Sequence, residues 1–142
     1  MDKRTILHAA AELVTEGPRH GSPSMLQRRL RQDLGVTVTF EVARAVLAHL
    51  HTAGVVGKVT PSTHAHPVLM DRGEALKTID AYQAIGDTDW SGLYECPSCC
   101  RVAPWTDGRM RKAGDPEDEF WCQTCGAQTP LSACARADFL LA

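Results

Sequence analysis

No stretch of the 142-residue chain approaches the roughly 20 consecutive apolar residues that a membrane-spanning helix needs, so no membrane span is expected. The opening MDKRTILHAA lacks the long apolar core and small-residue cleavage site of a secretory signal, which makes the cytoplasm the expected location. There is no internal repeat and no low-complexity tract. A Gly-x-x-x-x-Gly-Lys-Ser/Thr phosphate loop is missing, and so is any nucleophile–base constellation, so an ATPase motor is excluded and an enzyme is not expected. An excess of one charge is missing too: 15 Lys/Arg face 17 Asp/Glu, a formal net charge of −2. Nothing in the whole-chain charge announces a polyanion partner.

The balance differs between the two parts of the chain. Residues 1–60 hold eight Lys/Arg against five Asp/Glu, and the remainder seven against twelve. A basic front and an acidic back suggest that only the front would lie on phosphates.

Apolar spacing organises that front. Ile6, Leu7, Ala10, Leu13 and Val14 form one helical stripe, which Gly17-Pro18 should end. Ser22 is an N-cap candidate with Pro23 at a tolerated first-turn position, and Met25, Leu26 and Leu30 supply the inner face of a second helix. A third helix should run from about Thr39 to Ala53, with Val42, Val46, Leu47 and Leu50 inside and Gly54 closing it. Val55, Val56 and Val59 then have strand character, and Pro67 to Met70 can return antiparallel to them. Three helices followed by a hairpin is the order of a winged helix-turn-helix. The expected class is α+β: a winged domain over residues 1–70, a linker helix over 71–89 carrying Ala75, Leu76, Ile79 and Tyr82, and a small zinc ribbon with a tail over 90–142.

Cysteine spacing carries the clearest chemistry. Cys96-Pro-Ser-Cys99 and Cys122-Gln-Thr-Cys125 each offer two thiolates from one tight turn, and two such turns satisfy the tetrahedral preference of one structural Zn²⁺. Gly126 permits the left-handed backbone that turns amide N–H groups toward sulfur, and Arg101 is placed to supply a further donor. Cys100 competes with Cys99 for the first site, but Cys99 preserves the two-residue spacing. Cys134 has no partner motif. Four thiolates close the coordination shell, so a catalytic zinc is not expected. Tyr94, Val102, Trp105, Phe120 and Trp121 should form short strands over the metal. Between the pairs, the basic Arg109, Arg111 and Lys112 are followed at once by Asp115, Glu117, Asp118 and Glu119, a loop better suited to protein than to nucleic acid.

The run Ser-Pro-Ser-Met-Leu-Gln-Arg-Arg-Leu-Arg from Ser22 to Arg31 closely resembles the second helix of the winged-helix gamma domain of FtsK-type DNA translocases. Ala-Gly-Val-Val-Gly from Ala53 to Gly57 resembles that domain's exit from helix three, and Phe40 and Ala43 fall where it has an aromatic and an alanine. The resemblance covers about residues 22–57. It implies that Gln27, Arg28, Arg29 and Arg31 lie along duplex DNA and that the helix from Thr39 enters the major groove. Two departures bear on sequence choice. The connection from Arg31 to Phe40 is longer than in the family, and Val42 and Ala45 stand where its base-reading arginines are expected. The family's DNA sequence is therefore not expected to be read. Glu41 and Arg44 remain as long polar residues near the front of that helix, with His51 two turns on, and Lys58, His64 and His66 are wing positions that either touch phosphate or are ordinary loop residues.

Two functions follow as expectations. One is a DNA-binding regulator or accessory factor in transcription, DNA segregation or transfer, with duplex DNA on the winged domain and a protein partner on the ribbon. The other is an adaptor whose two parts both bind protein. At the level of architecture alone, a winged helix followed by a ribbon is similar to the archaeal and eukaryotic general transcription factor E family, where the ribbon contacts RNA polymerase.

Overall fold

Local capping chemistry sets the helices of this computed structural model, which describes residues 3–16, 21–60, 62, 65–82, 93–104, 119–122 and 125–137. The first helix, α1, spans Lys3–Thr15 and buries Ile6, Leu7, Ala10 and Val14. The expected stop at Gly17-Pro18 lies outside the described residues. Helix α2, Pro23–Leu34, starts at Ser22, whose Oγ accepts from the Met25 N–H at 3.2 Å, and ends at Gly35 with φ 66°. Helix α3, Phe40–Ala53, has Thr39 as its cap, accepting from the Val42 N–H at 3.1 Å, and closes at Gly54 with φ 92°. Each N-cap oxygen satisfies an amide that has no partner within the helix, and each closing glycine takes a left-handed conformation that a Cβ would disfavour.

After α3 the chain returns on itself, although with less regular strand than the valines suggest. Val56 and Val68 form one antiparallel bridge. The Gly57 N–H donates to Pro67 O at 2.8 Å, and the Leu69 N–H to Val55 O at 3.0 Å. Gly21 packs beneath this return: the His66 N–H donates to its carbonyl, and a Cβ at Gly21 would run into the carbonyl oxygen of His66.

Helix α4, Arg72–Ala81, is capped by Asp71 and buries Ala75 and Ile79 in the core shared with α1 and α3. It packs mainly against α1. Residues 83–92, which complete the expected linker, lie outside the described residues.

The cysteine-bearing part is built from short antiparallel strands. β1 (Leu93–Glu95) pairs with β2 (Val102–Pro104) and with β5 (Ala135–Arg136), giving the order β2-β1-β5. β3 (Glu119–Trp121) pairs with β4 (Gln128–Pro130). Trp105 and the charged loop from Asp107 to Asp118 lie outside the described residues. Leu93, Val102 and Ala137 are buried in the same apolar cluster as the helices, so the core runs continuously from α1 into the sheet. Among the described residues no helix is long and apolar enough to cross a membrane.

Candidate functional site

Two backbone turns of the same design bring the cysteines together. In the first, between β1 and β2, the Cys100 N–H donates to Cys96 O at 2.8 Å and the Cys96 N–H to Arg101 O at 2.9 Å. In the second, between β3 and β4, the Gly126 N–H donates to Cys122 O at 2.8 Å and the Cys122 N–H to Ala127 O at 3.0 Å. The residue after each pair is left-handed, Gly126 with φ 77° and Cys100 with φ 62°. Cys100 thus occupies the position that glycine fills in the second turn, at the steric cost a Cβ carries there.

The sulfur atoms of Cys96, Cys99, Cys122 and Cys125 all lie within 4.8 Å of one another. Cys96 and Cys125 are 3.7 Å apart, and Cys99 and Cys122 are 3.6 Å apart. Four sulfurs at about 2.3 Å from one zinc would stand about 3.8 Å apart, so the set fits a tetrahedral tetrathiolate. Cys96 and Cys122 are fully buried, while Cys125 is exposed. Burial raises the Cys96 thiol, against which the amides of Cys99 and Ser98 act. Burial pushes Cys99 up to about 12, opposed by the Arg101 amide. At the surface, the Ala127 amide brings Cys125 down to about 7. The donor expected from Arg101 comes from its main chain. A divalent cation is the charge this cluster needs to hold four thiolates. Cys100 and Cys134 are outside the set. Cys134 is buried beside Cys96 and Cys122, and its thiol faces Pro130 O at 3.6 Å.

The residues expected on DNA divide into two groups. Four are turned to internal work. Gln27 Nε2 donates to Val38 O at 3.1 Å, fixing the loop before α3. Arg29 pairs with Glu16 at 2.6 Å and Asp33 at 2.8 Å, bonds that keep its guanidinium charged. Lys58 Nζ donates to Ser98 O at 2.9 Å, reaching the first cysteine turn. His51 is only 6% exposed, and its Nδ1 donates to Cys100 O at 3.0 Å, so it sits in the junction instead of on an open helix face. His66 is likewise buried, with Nδ1 donating to Gly57 O at 2.7 Å, and His64 lies outside the described residues.

The other four, Arg28, Arg31, Glu41 and Arg44, are exposed. Among the described residues, Arg28 and Arg31 have no carboxylate partner; Arg28 Nη2 meets only the Met25 sulfur. With Ser24, Gln27, Thr37 and Val38 they line a surface concavity of about 300 Å³. Arg44 Nε bonds Glu95 Oε2 at 3.2 Å. On α3, Phe40, Glu41 and Arg44 are open, whereas every residue from Ala45 to His51 is buried. Phe40 and Arg44 also edge a larger cleft of about 540 Å³ that runs to Glu95 and Cys100.

The junction itself went unread in the sequence. His49 is fully buried, with Nε2 at 2.9 Å from Ala137 O and Nδ1 at 2.9 Å from the Tyr82 hydroxyl. Since a carbonyl can only accept, Nε2 carries a proton toward Ala137 O, and Nδ1 shares a hydrogen bond with the phenol, whose own ionisation burial disfavours. Thr52 Oγ1 accepts from the Val102 N–H at 2.8 Å while donating to Ala48 O. One helix is thus bonded to the end of α4, to β2 and to the segment after β5.

Comparison of the chain with protein families, curated proteins and solved structures finds no match.

Proposed function

We propose that the chain is a DNA-binding protein of winged helix-turn-helix type, braced by one structural zinc in a small ribbon, and that it acts as a regulator or accessory factor on duplex DNA. The observation that carries this reading is the pair Arg28 and Arg31, which among the described residues have no carboxylate partner, around a concavity with the hydroxyls of Ser24 and Thr37. Guanidinium groups and hydroxyls are the usual donors to phosphodiester oxygens. The concavity adjoins the loop into α3, whose first two residues, Phe40 and Glu41, are exposed. In helix-turn-helix proteins it is the N-terminal part of the recognition helix that meets base edges. The resemblance of Ser22–Arg31 to the gamma domain of FtsK-type translocases supports the same surface.

Zinc is assigned to Cys96, Cys99, Cys122 and Cys125, and the closed thiolate shell gives it a structural role. Most of α3 is enclosed, chiefly by α1 and α2 and along one side by the cysteine-bearing sheet, so base contact is confined to Phe40, Glu41 and Arg44 at the front of that helix.

An adaptor reading is favoured by one observation, the cleft in which Pro23, Phe40 and Val59 supply apolar wall and Phe40 is 47% exposed. Salt separates the two. Zinc-loaded protein titrated into random-sequence duplex DNA should bind at low salt, with affinity falling steeply as salt rises. Absence of binding at low salt would remove the DNA reading and leave the adaptor.

A further inference from the structure

The ion pair between Arg44 and Glu95 joins residues that are 51 apart in the chain. Arg44 leaves the second turn of α3 with a side chain 54% exposed, whereas the Glu95 side chain is 11% exposed. Glu95 ends β1 and stands next to Cys96, so the first cysteine turn fixes its position. The bond runs from Nε. Among the described residues nothing accepts from the two terminal amino groups of Arg44. A guanidinium held at Nε keeps both Nη groups for another planar acceptor, and guanine offers one through O6 and N7. Holding the fork before DNA arrives means that its side-chain freedom is lost in folding instead of on binding.

We infer that Glu95 is a positioning residue for Arg44, and that Arg44 so held reads a guanine in the major groove. This rests on the DNA-binding reading above. A residue of the zinc ribbon then tunes the base preference of the helical part. It also supplies what Val42 and Ala45 lack, since neither of those side chains can donate to guanine.

The test is selection of sites from a randomised duplex library by the full-length, zinc-loaded protein. Affinity for random duplex and the Tm are measured beside it. The wild type should enrich guanine at one position about tenfold or more, as expected for one bidentate arginine contact. Arg44→Ala should abolish that enrichment. Glu95→Gln should lower it several-fold and, by removing an anion close to the phosphates, raise affinity for random duplex. Glu95→Asp keeps the charge but withdraws the carboxylate by one methylene, so it should lose preference with random-duplex affinity unchanged, which guards against a Gln variant that folds poorly. Two results overturn the inference while the DNA reading stands: salt-sensitive binding without a guanine preference, or a preference unaltered in both Glu95 variants. If the wild type fails to bind random duplex even at low salt, the DNA reading itself fails and this inference with it.

Discussion

Arg28, Arg29 and Arg31 look alike in the sequence, yet the structure gives them different surroundings, and alanine substitutions should tell them apart. Arg29 is committed to Glu16 and Asp33, while Arg28 and Arg31 face a concavity that no carboxylate lines among the described residues. If each of the latter neutralises one phosphate, each contributes about 0.9 to the slope of log affinity against log salt. An Arg28→Ala/Arg31→Ala double variant should therefore reduce the slope by about 1.8. Where the loss is wholly one of counterion release, that corresponds to about 30-fold weaker binding at 0.15 M salt. Arg29→Ala should leave the slope within a few tenths of wild type and lower the Tm slightly, because its partners lie on α2 and at the end of α1. Fluorescence anisotropy of a labelled random duplex over a salt series reads both quantities. The reasoning is refuted if Arg29→Ala flattens the slope as much as the double variant, or if the double variant leaves it unchanged.

If the four cysteines hold zinc as proposed, a strong chelator should release one zinc per chain and lower helical circular dichroism as well, because α3 is bonded to the sheet and turn that carry the cysteines. Cobalt loading should yield the absorption of a tetrahedral tetrathiolate, retained in Cys100→Ser and lost or altered in Cys122→Ser. His49→Phe should cost about 1–3 kcal/mol in denaturant unfolding, since it takes the side-chain donor from Ala137 O at a buried residue and removes the bond to the half-buried Tyr82 hydroxyl. Gly21→Ala should cost about 1–3 kcal/mol, because the backbone carrying His66 must shift to admit the methyl group. Burial lowers His66 below its usual 6.5, against the hydrogen bond to Gly57, so the unfolded chain takes up its proton first as pH falls. That group's contribution is complete above about pH 6.5 and declines as pH drops through that value toward the folded-state pKa. His66→Gln, followed by unfolding between pH 5 and 8, should show a shallower loss on the acid side than wild type.

The helices and the cysteine pairs were legible in the sequence because the forces that specify them are local. A cap at Ser22 or Thr39 acts on amides three residues away, and a two-residue spacing between thiols fits a single turn. The junction was not legible for the opposite reason. His51 was expected on the open face of the third helix, and nothing in the apolar spacing singles out His49 or Thr52. Their partners are the Ala137 carbonyl, the Cys100 carbonyl and the Val102 amide, between 49 and 88 residues away. Main-chain groups have no residue identity, so nothing in the sequence marks them as partners. The loss of Arg29 from the exposed set was partly readable, since Asp33 lies four residues on along the same helix. The bond to Glu16 needed the approach of α1.

Burial along α3 has a geometric consequence for binding. A recognition helix lying lengthwise in a major groove exposes a stripe over several turns, but here Ala45 through His51 are buried in a helix packed on α1, α2 and the cysteine-bearing sheet. Under the DNA-binding reading, α3 meets the groove by its front end. The base-contacting set is then Phe40, Glu41 and Arg44, which can touch only a few adjacent base pairs. Most of the affinity would come from phosphates, giving strong salt dependence with modest sequence discrimination. Substitutions at Thr52 or His51 should then weaken binding only as far as they unfold the junction. Glu41→Ala should behave differently, raising affinity for every sequence by removing an anion that faces the phosphates while leaving the Tm nearly unchanged. If Glu41→Ala instead lowers affinity on a subset of sequences, its carboxylate is accepting a hydrogen bond from a cytosine amino group, and the front of α3 reads two base pairs where Arg44 alone would read one.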